Sequence, residues 1–385
     1  MCALSLFAVT APGLEPFASQ ELADLGLRPS QVTSAEAGGA AFEGNLQELY
    51  RANLHLRTAT RILLRLGEFY AAAFSELRKK AARLPWEAYL LPGQPVAIRA
   101  TCHKSRLYHS DAVAERVAGA IEDRLGRAPA RLKPAADSDD AAPPAPLVVV
   151  RLSHDLCTIS LDTSGAPLFQ RGYRLAAAKA PLRETLAAGV ILASGWDQRS
   201  PLLDPFCGSG TLPIEAALLA RQIAPGHARR FAFMDWPGYD ASLWKKVLDD
   251  ADSRCVDHGP QLLASDRDAG AIAAARANAE RAGVAGDIEF TRCAVSSIAP
   301  PAGPGWVVTN PPYGVRVSAD QELRNLYARL GQVLRARCPG WQVSVLSGDD
   351  RLLHSTALPF APERSLRLVN GGLKVKLARG AVPGL

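Results

Sequence analysis

The stretch PLLDPFCGSGTLPIEAALLA, residues 201–220, decides how the fold of this chain is interpreted. It begins with a short apolar strand that ends in Asp204, and an apolar helix is predicted from Leu212 to Ile223. Gly208 and Gly210 lie between the strand and the helix. Glycines at such a junction let a ligand approach unpaired backbone N–H groups. The stretch therefore predicts a ligand site at the turn.

This turn differs from the two common phosphate-binding motifs. It has no third glycine to pack a dinucleotide-binding helix and no lysine to hold phosphates. An acid beside the glycines suits a ligand with a cationic amino acid group better than a pyrophosphate. The alternative is that Asp204 only caps the helix.

A second strand that ends in an acid follows at residues 262–266, and an alanine-rich helix is predicted from there through Arg281. An acid at the tip of the second strand commonly accepts hydrogen bonds from both hydroxyls of a ribose, so Asp266 is the candidate for a nucleoside contact. Asp268 is predicted in the first helical turn, where a carboxylate interacts favourably with the helix dipole.

Asp204 and Asp266 are roughly 60 residues apart, well above the ~20 of a compact βαβ unit, which indicates an insertion at about residues 224–258. Its basic and aromatic side chains can hold phosphates and stack on bases. The alternative is that the aromatics anchor the insertion on the main core. These side chains are Arg229, Arg230, Phe231, Phe233, Trp236, Tyr239, Trp244, Lys245 and Lys246.

A third strand, residues 306–309, leads into Asn310-Pro311-Pro312-Tyr313. An aromatic exocyclic amine is a poor nucleophile because its lone pair is delocalised into the ring. If the Asn310 side-chain oxygen and the Pro311 carbonyl each accept one N–H, the nitrogen is drawn toward tetrahedral geometry. The prolines hold these acceptors in place, and Tyr313 can stack on a base. The pattern fits methyl transfer from S-adenosylmethionine to an amino group on a base; the alternative is an ordinary turn with two prolines.

The remaining chain predicts two kinds of structure. From Pro181 onward, strand and helix patterns alternate, which predicts an α/β fold with a mostly parallel, doubly wound sheet. The first ~50 residues predict an α+β piece, with an edge strand at residues 4–9 and a helix at 12–25.

A second α+β unit is predicted before Pro181. It has a strand at residues 95–100, a helix at 110–125 and a hairpin of two strands, 147–152 and 158–161. Residues 128–146 interrupt it with an Ala-, Pro- and Asp-rich segment that is predicted to be an exposed loop.

Composition restricts the class of protein. The chain has 385 residues, enough for two or three domains, and 48% hydrophobic and 21% charged residues, as in soluble globular proteins. No apolar run approaches the ~20 residues that span a bilayer, and the N-terminus does not resemble a secretory signal, so we expect a cytoplasmic protein.

Seven cysteines without a CxxC pair argue against a disulfide framework and a structural zinc site, and no metal is expected. A net charge of +6 permits a polyanionic partner.

DPFCGSGTLPIEAA (204–217) and TNPPYGVR (309–316) resemble the two signature motifs of class I S-adenosylmethionine-dependent methyltransferases that act on exocyclic amines. Further segments narrow the resemblance to the bacterial THUMP-containing RNA methyltransferases, and within them to the RlmL-type guanine-N2 methyltransferases of large-subunit ribosomal RNA. These segments are FQRGYR (169–174), APLRETLAA (180–188), APG (224–226), SRLYHSDAVAERV (105–117) and LVNGGL (368–373), the last a predicted terminal hairpin with an Asn-Gly turn.

The resemblance implies a Rossmann-like class I methyltransferase domain with a mostly parallel sheet, preceded by α+β ferredoxin-like and THUMP domains that hold RNA. The implied segments are an N-terminal ferredoxin-like region at 1–52, a THUMP RNA-binding domain at 53–165, a linker and helix at 166–200 and a Rossmann-like S-adenosylmethionine-dependent methyltransferase domain at 201–385.

The resemblance also implies site residues. Those implied for S-adenosylmethionine are Asp204, Phe206, Cys207, Gly208, Gly210, Thr211, Asp266 and Arg267. Those implied for the target amine and base are Asn310, Pro311, Pro312 and Tyr313. Those implied for RNA are Lys104, Arg106 and His109, for which the alternative is a solvated face.

Two departures from the family pattern affect the expectations. Relatives usually have an acid that binds the adenine amino group, and the counterpart here is Ala294, so adenine is expected to be held by backbone groups or another side chain. Some relatives carry a second methyltransferase half, and this chain ends at Leu385, so one activity is expected.

The implied reaction is methylation of the N2 amine of a guanine in 23S ribosomal RNA, as free RNA or in a ribosome assembly intermediate. A transfer-RNA guanine-N2 enzyme and a ribosomal RNA adenine-N6 enzyme are the alternatives within the fold, ahead of a protein or small-molecule amine methyltransferase. A non-catalytic RNA-binding factor is the alternative outside it. The residues leave the modified nucleotide and the oligomeric state open, with a monomer slightly favoured.

Overall fold

The computed structural model describes residues 3–27, 38–132, 142–174, 182–313 and 320–384. Part of the predicted loop at 128–146 lies outside these residues, as do the first two residues of APLRETLAA and residues 314–316 of TNPPYGVR. The chain forms two compact units. The first contains residues 1–9, 19–168 and 229–249, and the second contains residues 10–18, 169–228 and 250–385.

The first unit is built on one mixed sheet. Its strands are β1 (Leu4–Thr10), β2 (Gly39–Gly44), β3 (Ala59–Tyr70), β4 (Val96–His103), β5 (Arg131–Leu132), β6 (Leu147–Ser153) and β7 (Leu156–Asp162). Their order is β2-β1-β3-β7-β6-β4-β5, so strands from both predicted N-terminal domains share the sheet. The predicted edge position of the first strand is wrong, because β2 pairs antiparallel with β1 and takes the edge itself.

The predicted hairpin is confirmed. β6 and β7 pair antiparallel, with Ser153 opposite Leu156. The two residues between them, His154 and Asp155, have φ angles of 53° and 64°, which is the left-handed geometry of a tight hairpin turn.

Four helices lie between β1 and β5 in the described part of the chain. They are α1 (Glu15–Asp24), α2 (Leu46–His55), α3 (Phe74–Ala81) and α4 (Ser110–Leu125). α2 begins with a complete capping box, in which Asn45 and Glu48 each satisfy a backbone N–H of the other. α4 has the predicted bounds, and Gly126 ends it in the left-handed conformation.

The second unit contains the predicted doubly wound sheet. Its strands are β8 (Leu202–Asp204), β9 (Leu262–Asp266), β10 (Ile288–Arg292), β11 (Trp306–Thr309), β12 (Gln342–Ser347), β13 (Leu366–Asn370) and β14 (Leu373–Ala381). Their order is β10-β9-β8-β11-β12-β14-β13. The strands from β10 to β12 are parallel to one another, whereas β14 is antiparallel to both β12 and β13.

The helices that follow α4 are α5 (Glu184–Ser194), α6 (Thr211–Ala220), α7 (Ala241–Ser253), α8 (Ala269–Arg281), α9 (Asp320–Arg337) and α10 (Asp350–Ser355). α5, α6 and α8 contribute to one buried cluster with Leu202 and Val308, and α9 and α10 contribute to the other with Leu203 and Val307. Neighbouring strand residues therefore point to opposite faces of the sheet, and both faces are buried. This burial explains why the central strands are uninterrupted apolar runs.

No helix in the described parts of the chain is long and apolar enough to cross a membrane.

A buried ion pair in the first unit gives a test of this packing. Arg61 Nη1 lies 2.5 Å from Asp162 Oδ2 and also donates to the Gly165 carbonyl, and both charged side chains are buried. Asp162→Ala should lower the free energy of unfolding by about 3–5 kcal/mol, because it leaves the guanidinium buried without its counter-charge. Urea denaturation would measure the loss.

The matched control is Asp123→Ala, which breaks the exposed pair between Arg78 and Asp123 in the same unit. Solvent screens that pair, so its loss should change stability far less. Equal effects of the two substitutions would contradict the importance of the buried pair.

Candidate active site

The glycine turn between β8 and α6 has two glycines with distinct roles. Gly208 and Gly210 have φ angles of 51° and 86°, a region that residues with a side chain rarely adopt. A Cβ atom on Gly210 would lie 3.0 Å from the Ala275 side chain, so this glycine allows α6 and α8 to approach each other. A Cβ atom on Gly208 would meet no protein atom within 4 Å. The space beside Gly208 is therefore open to a ligand.

Asp204 is a buried acid at the tip of β8, with 1% of its surface exposed. Its Oδ1 accepts hydrogen bonds from the Thr309 hydroxyl at 2.6 Å and from the Phe206 N–H at 3.1 Å. Burial raises the pKa of Asp204 to about 7; these two bonds lower it in part, and the nearby charge of Asp266 raises it further. A cationic ligand would stabilise the ionised form of this carboxyl.

Asp266 lies at the tip of β9, the neighbour of β8. Its Oδ2 accepts the Gly208 N–H at 3.1 Å, and its Oδ1 accepts the Asp268 N–H at 2.9 Å. These bonds orient the carboxylate next to the glycine turn. Asp268 caps the N-terminus of α8 by accepting the Ala271 N–H, one position before the predicted first turn.

Asn310 follows the residue that bonds to Asp204, so the Asn-Pro-Pro-Tyr loop adjoins the glycine turn. β8 lies between β9 and β11, and the order of the strands reverses there, at the position where doubly wound folds bind ligands. The Asn310 Oδ1 atom is buried and has no hydrogen-bond partner among the described residues. An unpaired buried acceptor at this position is available to an N–H donor from a ligand.

Tyr313 is half-buried and packs against the apolar clusters on both faces of the sheet. Its hydroxyl accepts a hydrogen bond from Asn370 Nδ2 at 3.0 Å, and a Cβ atom on Gly348 would lie 3.0 Å from its ring. Burial raises the pKa of Tyr313, and the Asn370 bond lowers it in part. The ring therefore has a defined orientation before any substrate arrives.

The pattern of LVNGGL predicts only a hairpin and indicates no contact for Asn370. The predicted Asn-Gly turn is wrong: the two turn residues are Gly371 and Gly372, both with positive φ, while Asn370 is the last residue of β13. Two glycines accept the left-handed geometry at no steric cost, which leaves Asn370 in the strand and free to reach Tyr313.

The segment FQRGYR contributes a second set of residues that the sequence did not assign. Arg174 donates to the Thr211 hydroxyl at 3.1 Å, and the Tyr173 hydroxyl lies 3.0 Å from Glu215 Oε1 in α6. Asn278 of α8 donates to the Ser209 carbonyl at 2.9 Å. These contacts fix the position of the glycine turn and of the start of α6.

The other predicted cofactor residues differ in their surroundings. Phe206 is half-buried against the cluster of α9, and Arg267 is exposed. Cys207 is buried, and burial raises the pKa of its thiol well above the usual value, so it is not a reactive thiolate. Ala294 precedes a short 3₁₀ turn, and its carbonyl accepts the Ser297 N–H.

The predicted RNA residues lie in the first unit, where Lys104 and Arg106 share the segment after β4. The Arg106 backbone N–H and Nε both donate to the Asp155 carboxylate, at 2.7 and 2.9 Å. The backbone N–H contact is the larger cause that lowers the pKa of Asp155, and the Arg106 side chain adds to it. The His109 ring lies 4.1 Å from the ring of the exposed Tyr108. Arg106 is thus partly engaged by an acid, while Lys104 remains exposed.

Residues 229–249 of the insertion belong to the first unit, and their aromatic side chains are anchors. The ring of Tyr50 in α2 stacks on Phe233 at 4.5 Å and meets the edge of Trp244 at 5.7 Å. Phe231, Phe233, Trp236 and Trp244 are buried. These four side chains therefore anchor the insertion on a core, as the alternative prediction held. That core belongs to the first unit.

Within the described ranges, no three His, Cys, Asp or Glu side chains are grouped as a metal site would require.

The sheet order, the glycine turn after β8 and the Asn-Pro-Pro-Tyr loop after β11 define a Rossmann-like methyltransferase domain. Residues 171–378 match the family described as "RMKL-like, methyltransferase domain". Residues 5–63 match "RlmL ferredoxin-like domain" and residues 71–162 match "THUMP domain". The chain therefore belongs to the RMKL-like methyltransferase family, in its THUMP-containing, RlmL-like form.

Relatives along the whole chain agree with this assignment. The chain is 36% identical to "Ribosomal RNA large subunit methyltransferase K/L" of Syntrophotalea carbinolica over 97% of this chain and 53% of that protein. It is 35% identical to "Putative RNA methyltransferase slr0064" of Synechocystis over 97% of this chain and 95% of that protein. The chain spans about half the length of the K/L relatives.

A solved structure resembles the whole chain. The crystal structure of SMU.472 complexed with SAH superposes with a TM-score of 0.86 at 30% identity and covers 100% of this chain and 99% of that one. The family implies S-adenosylmethionine as the cofactor of this chain. The open space at Gly208 and the two acids Asp204 and Asp266 fit a cofactor with an ammonium group and a ribose.

The raised pKa of Asp204 predicts that the free energy of unfolding of the ligand-free protein depends on pH. The folded protein holds this proton up to about pH 7, whereas the unfolded chain releases it near pH 4. The protein therefore loses stability as the pH rises through this window, and the loss of stability is complete above pH 7.

Asp204→Asn keeps an Oδ1 acceptor for both hydrogen bonds and does not ionise. Without cofactor, it should raise the free energy of unfolding by a few kcal/mol at pH 8, on the order of magnitude of the pKa difference, and by much less at pH 5. Urea denaturation at both pH values would measure this. A variant no more stable than the wild type at pH 8 would contradict the ionisation cost.

Proposed function

We propose that this protein transfers a methyl group from S-adenosylmethionine to the exocyclic N2 amine of a guanine in 23S ribosomal RNA. The observation that carries the proposal is the buried Asn310 Oδ1, which has no hydrogen-bond partner among the described residues. Leaving such an acceptor unpaired costs about 1–3 kcal/mol. A substrate N–H that donates to it would remove this cost during the reaction.

The cofactor is assigned to the tips of β8 and β9. When bound, S-adenosylmethionine would supply an electrophilic methyl group, and its sulfur would keep the electron pair of the broken S–C bond. The Asp204 carboxylate would hold its ammonium group, and Asp266 would accept hydrogen bonds from its ribose hydroxyls. Phe206, Cys207, Gly208, Gly210, Thr211 and Arg267 are the further proposed residues of this site. Backbone groups near Ala294 would hold the adenine.

The target amine is assigned to the loop after β11. The Asn310 Oδ1 and the Pro311 carbonyl would each accept one N–H of the amine, which directs its lone pair toward the methyl group. Pro311 and Pro312 restrict the backbone, so the acceptors need little rearrangement. The amine nitrogen becomes acidic only after it gains the methyl group, so a water molecule can remove its proton. Tyr313, oriented by Asn370, would stack on the base.

The RNA substrate is supported by the first unit and by the relatives. Residues 71–162 match the THUMP domain, and relatives along the whole chain carry the name of ribosomal RNA large subunit methyltransferases. We assign RNA contact to Lys104, Arg106 and His109. We also retain the four proposed segments, 1–52, 53–165, 166–200 and 201–385, and a cytoplasmic location for the protein.

Nucleoside analysis tests the reaction. The protein would be incubated with labelled S-adenosylmethionine and total RNA that lacks the modification, and each purified RNA size class would be hydrolysed. N2-methylguanosine in 23S RNA is the expected product. The same nucleoside in transfer RNA would show that transfer RNA is the substrate. N6-methyladenosine would show that adenine is the methylated base. Absence of label from all RNA would reject the proposal.

Substitution of Asn310 tests the amine acceptor. Asn310→Ala should lower kcat by about 10²–10³-fold, as expected for the loss of a preorganised polar contact in a reaction centre. RNA affinity, measured by filter binding, should change less than about tenfold, because the affected contact is one hydrogen bond. Asn310→Asp retains an acceptor and should keep more activity than Asn310→Ala. Equal kcat values for Asn310→Ala and the wild type would exclude this role.

The bond between Asn370 and Tyr313 predicts a coupled effect. Asn370→Ala should lower methylation because the tyrosine ring loses a fixed partner, and Tyr313→Phe should give a similar loss because it removes the same bond. The double variant should be no worse than the more damaging single variant. Single-turnover rates would be compared at saturating RNA. Losses that multiply in the double variant would show that Asn370 does not act through Tyr313.

A further inference from the structure

A cavity in the second unit lies at the opposite strand ends from the proposed active site. Its volume is about 240 Å³, and its lining includes Trp306 and Gln342, the first residues of β11 and β12. Asn310 and the glycine turn follow the carboxyl ends of parallel strands, whereas this cavity opens at their amino ends. It is therefore separate from the site assigned to S-adenosylmethionine and the target base.

Two arginines give the cavity its charge. Arg364 and Arg379 both line it, and Arg364 is exposed. The Arg379 guanidinium is fixed in place, because its Nη1 donates to the Ala193 carbonyl and its Nε donates to the Arg364 carbonyl. Burial lowers the pKa of Arg379, and the like charge of Arg364 lowers it further. One fixed and one exposed cation thus line the same concave surface.

Neither arginine has an acidic partner within the described ranges of the chain. This contrasts with Arg78, Arg124, Arg221 and Arg230, each of which is paired with an acid. The cavity lining contains no Asp or Glu, and its other polar side chains are Ser194, Ser344 and Gln342. An anion bound there would relieve the repulsion between the two guanidinium groups without meeting a carboxylate.

We propose that this cavity, lined by Arg364 and Arg379, binds a phosphate group. Guanidinium groups bind phosphate oxygens with paired, charge-assisted hydrogen bonds, and the Gln342 amide of the lining can donate to a remaining oxygen. The Ser194 hydroxyl already donates to the Ile191 carbonyl. The volume is below the roughly 300–1,000 Å³ of sites for drug-sized ligands, which favours a phosphate group over a whole cofactor. The group can belong to a small phosphate or to the backbone of RNA, and the experiment separates the two.

The test uses the full chain with inorganic phosphate as the probe, in calorimetric titrations at constant ionic strength. Arg364→Gln removes an exposed cation that lines the cavity. Arg329→Gln removes an exposed cation of α9 outside the lining and is the matched control for net charge. Arg364→Gln should weaken phosphate binding roughly tenfold, as expected for the loss of a charge-assisted hydrogen bond. Arg329→Gln should bind phosphate as the wild type does.

Equal S-adenosylmethionine affinity in all three proteins would show that the variants are folded. The proposal is overturned if the wild type binds no phosphate or if Arg364→Gln binds it unchanged. These results would leave the methyl-transfer proposal intact, because the two sites lie at opposite strand ends.

RNA titrations over a range of salt concentrations identify the source of the phosphate. If the cavity takes an RNA phosphate, Arg364→Gln should reduce the slope of log K against log salt by about 1, and Arg329→Gln should not. If both variants bind RNA as the wild type does while Arg364→Gln has lost phosphate binding, the ligand is a small free phosphate.

Discussion

The hydrogen bond from the Thr309 hydroxyl to Asp204 is the contact on which the candidate site depends. It joins the tips of β8 and β11, the two strands between which the sheet reverses its order. Asp204 is buried, and its Oδ1 atom also accepts the Phe206 N–H. One residue after Thr309 comes Asn310, with its unpaired oxygen. The acid assigned to the cofactor and the amide assigned to the substrate are therefore aligned through a single buried bond.

Local patterns were sufficient to predict the elements that carry this site. β9 and β11 have the bounds expected from short apolar runs, because strands buried on both faces need no polar alternation. α4 also has its predicted bounds, since its apolar spacing ends at Gly126. The acids and the glycine turn were recognisable because strand ends in a parallel sheet converge on one edge, so residues distant in sequence could be assigned to one place.

Contacts that depend on tertiary pairing could not be predicted. Asn370 and Tyr313 are 57 residues apart, and no periodicity relates a hairpin residue to a tyrosine in another loop. The position of β1 inside its sheet depends on where β2 pairs, which the apolar pattern of β1 does not encode. The aromatic residues of the insertion suited either a base or a core, and only the position of Tyr50 decides between them.

The anchoring of residues 229–249 on Tyr50 has a consequence for how the molecule is made. The first unit is not one continuous stretch, since part of its packing comes from chain that is synthesised after β8 and α6. A nascent chain that has emerged only as far as β7 still lacks Phe233 and Trp244, so the Tyr50 ring of α2 lacks these two packing partners. The N-terminal unit therefore completes its folding late, by a long-range contact, and a gene fragment that ends at β7 encodes an unfinished domain.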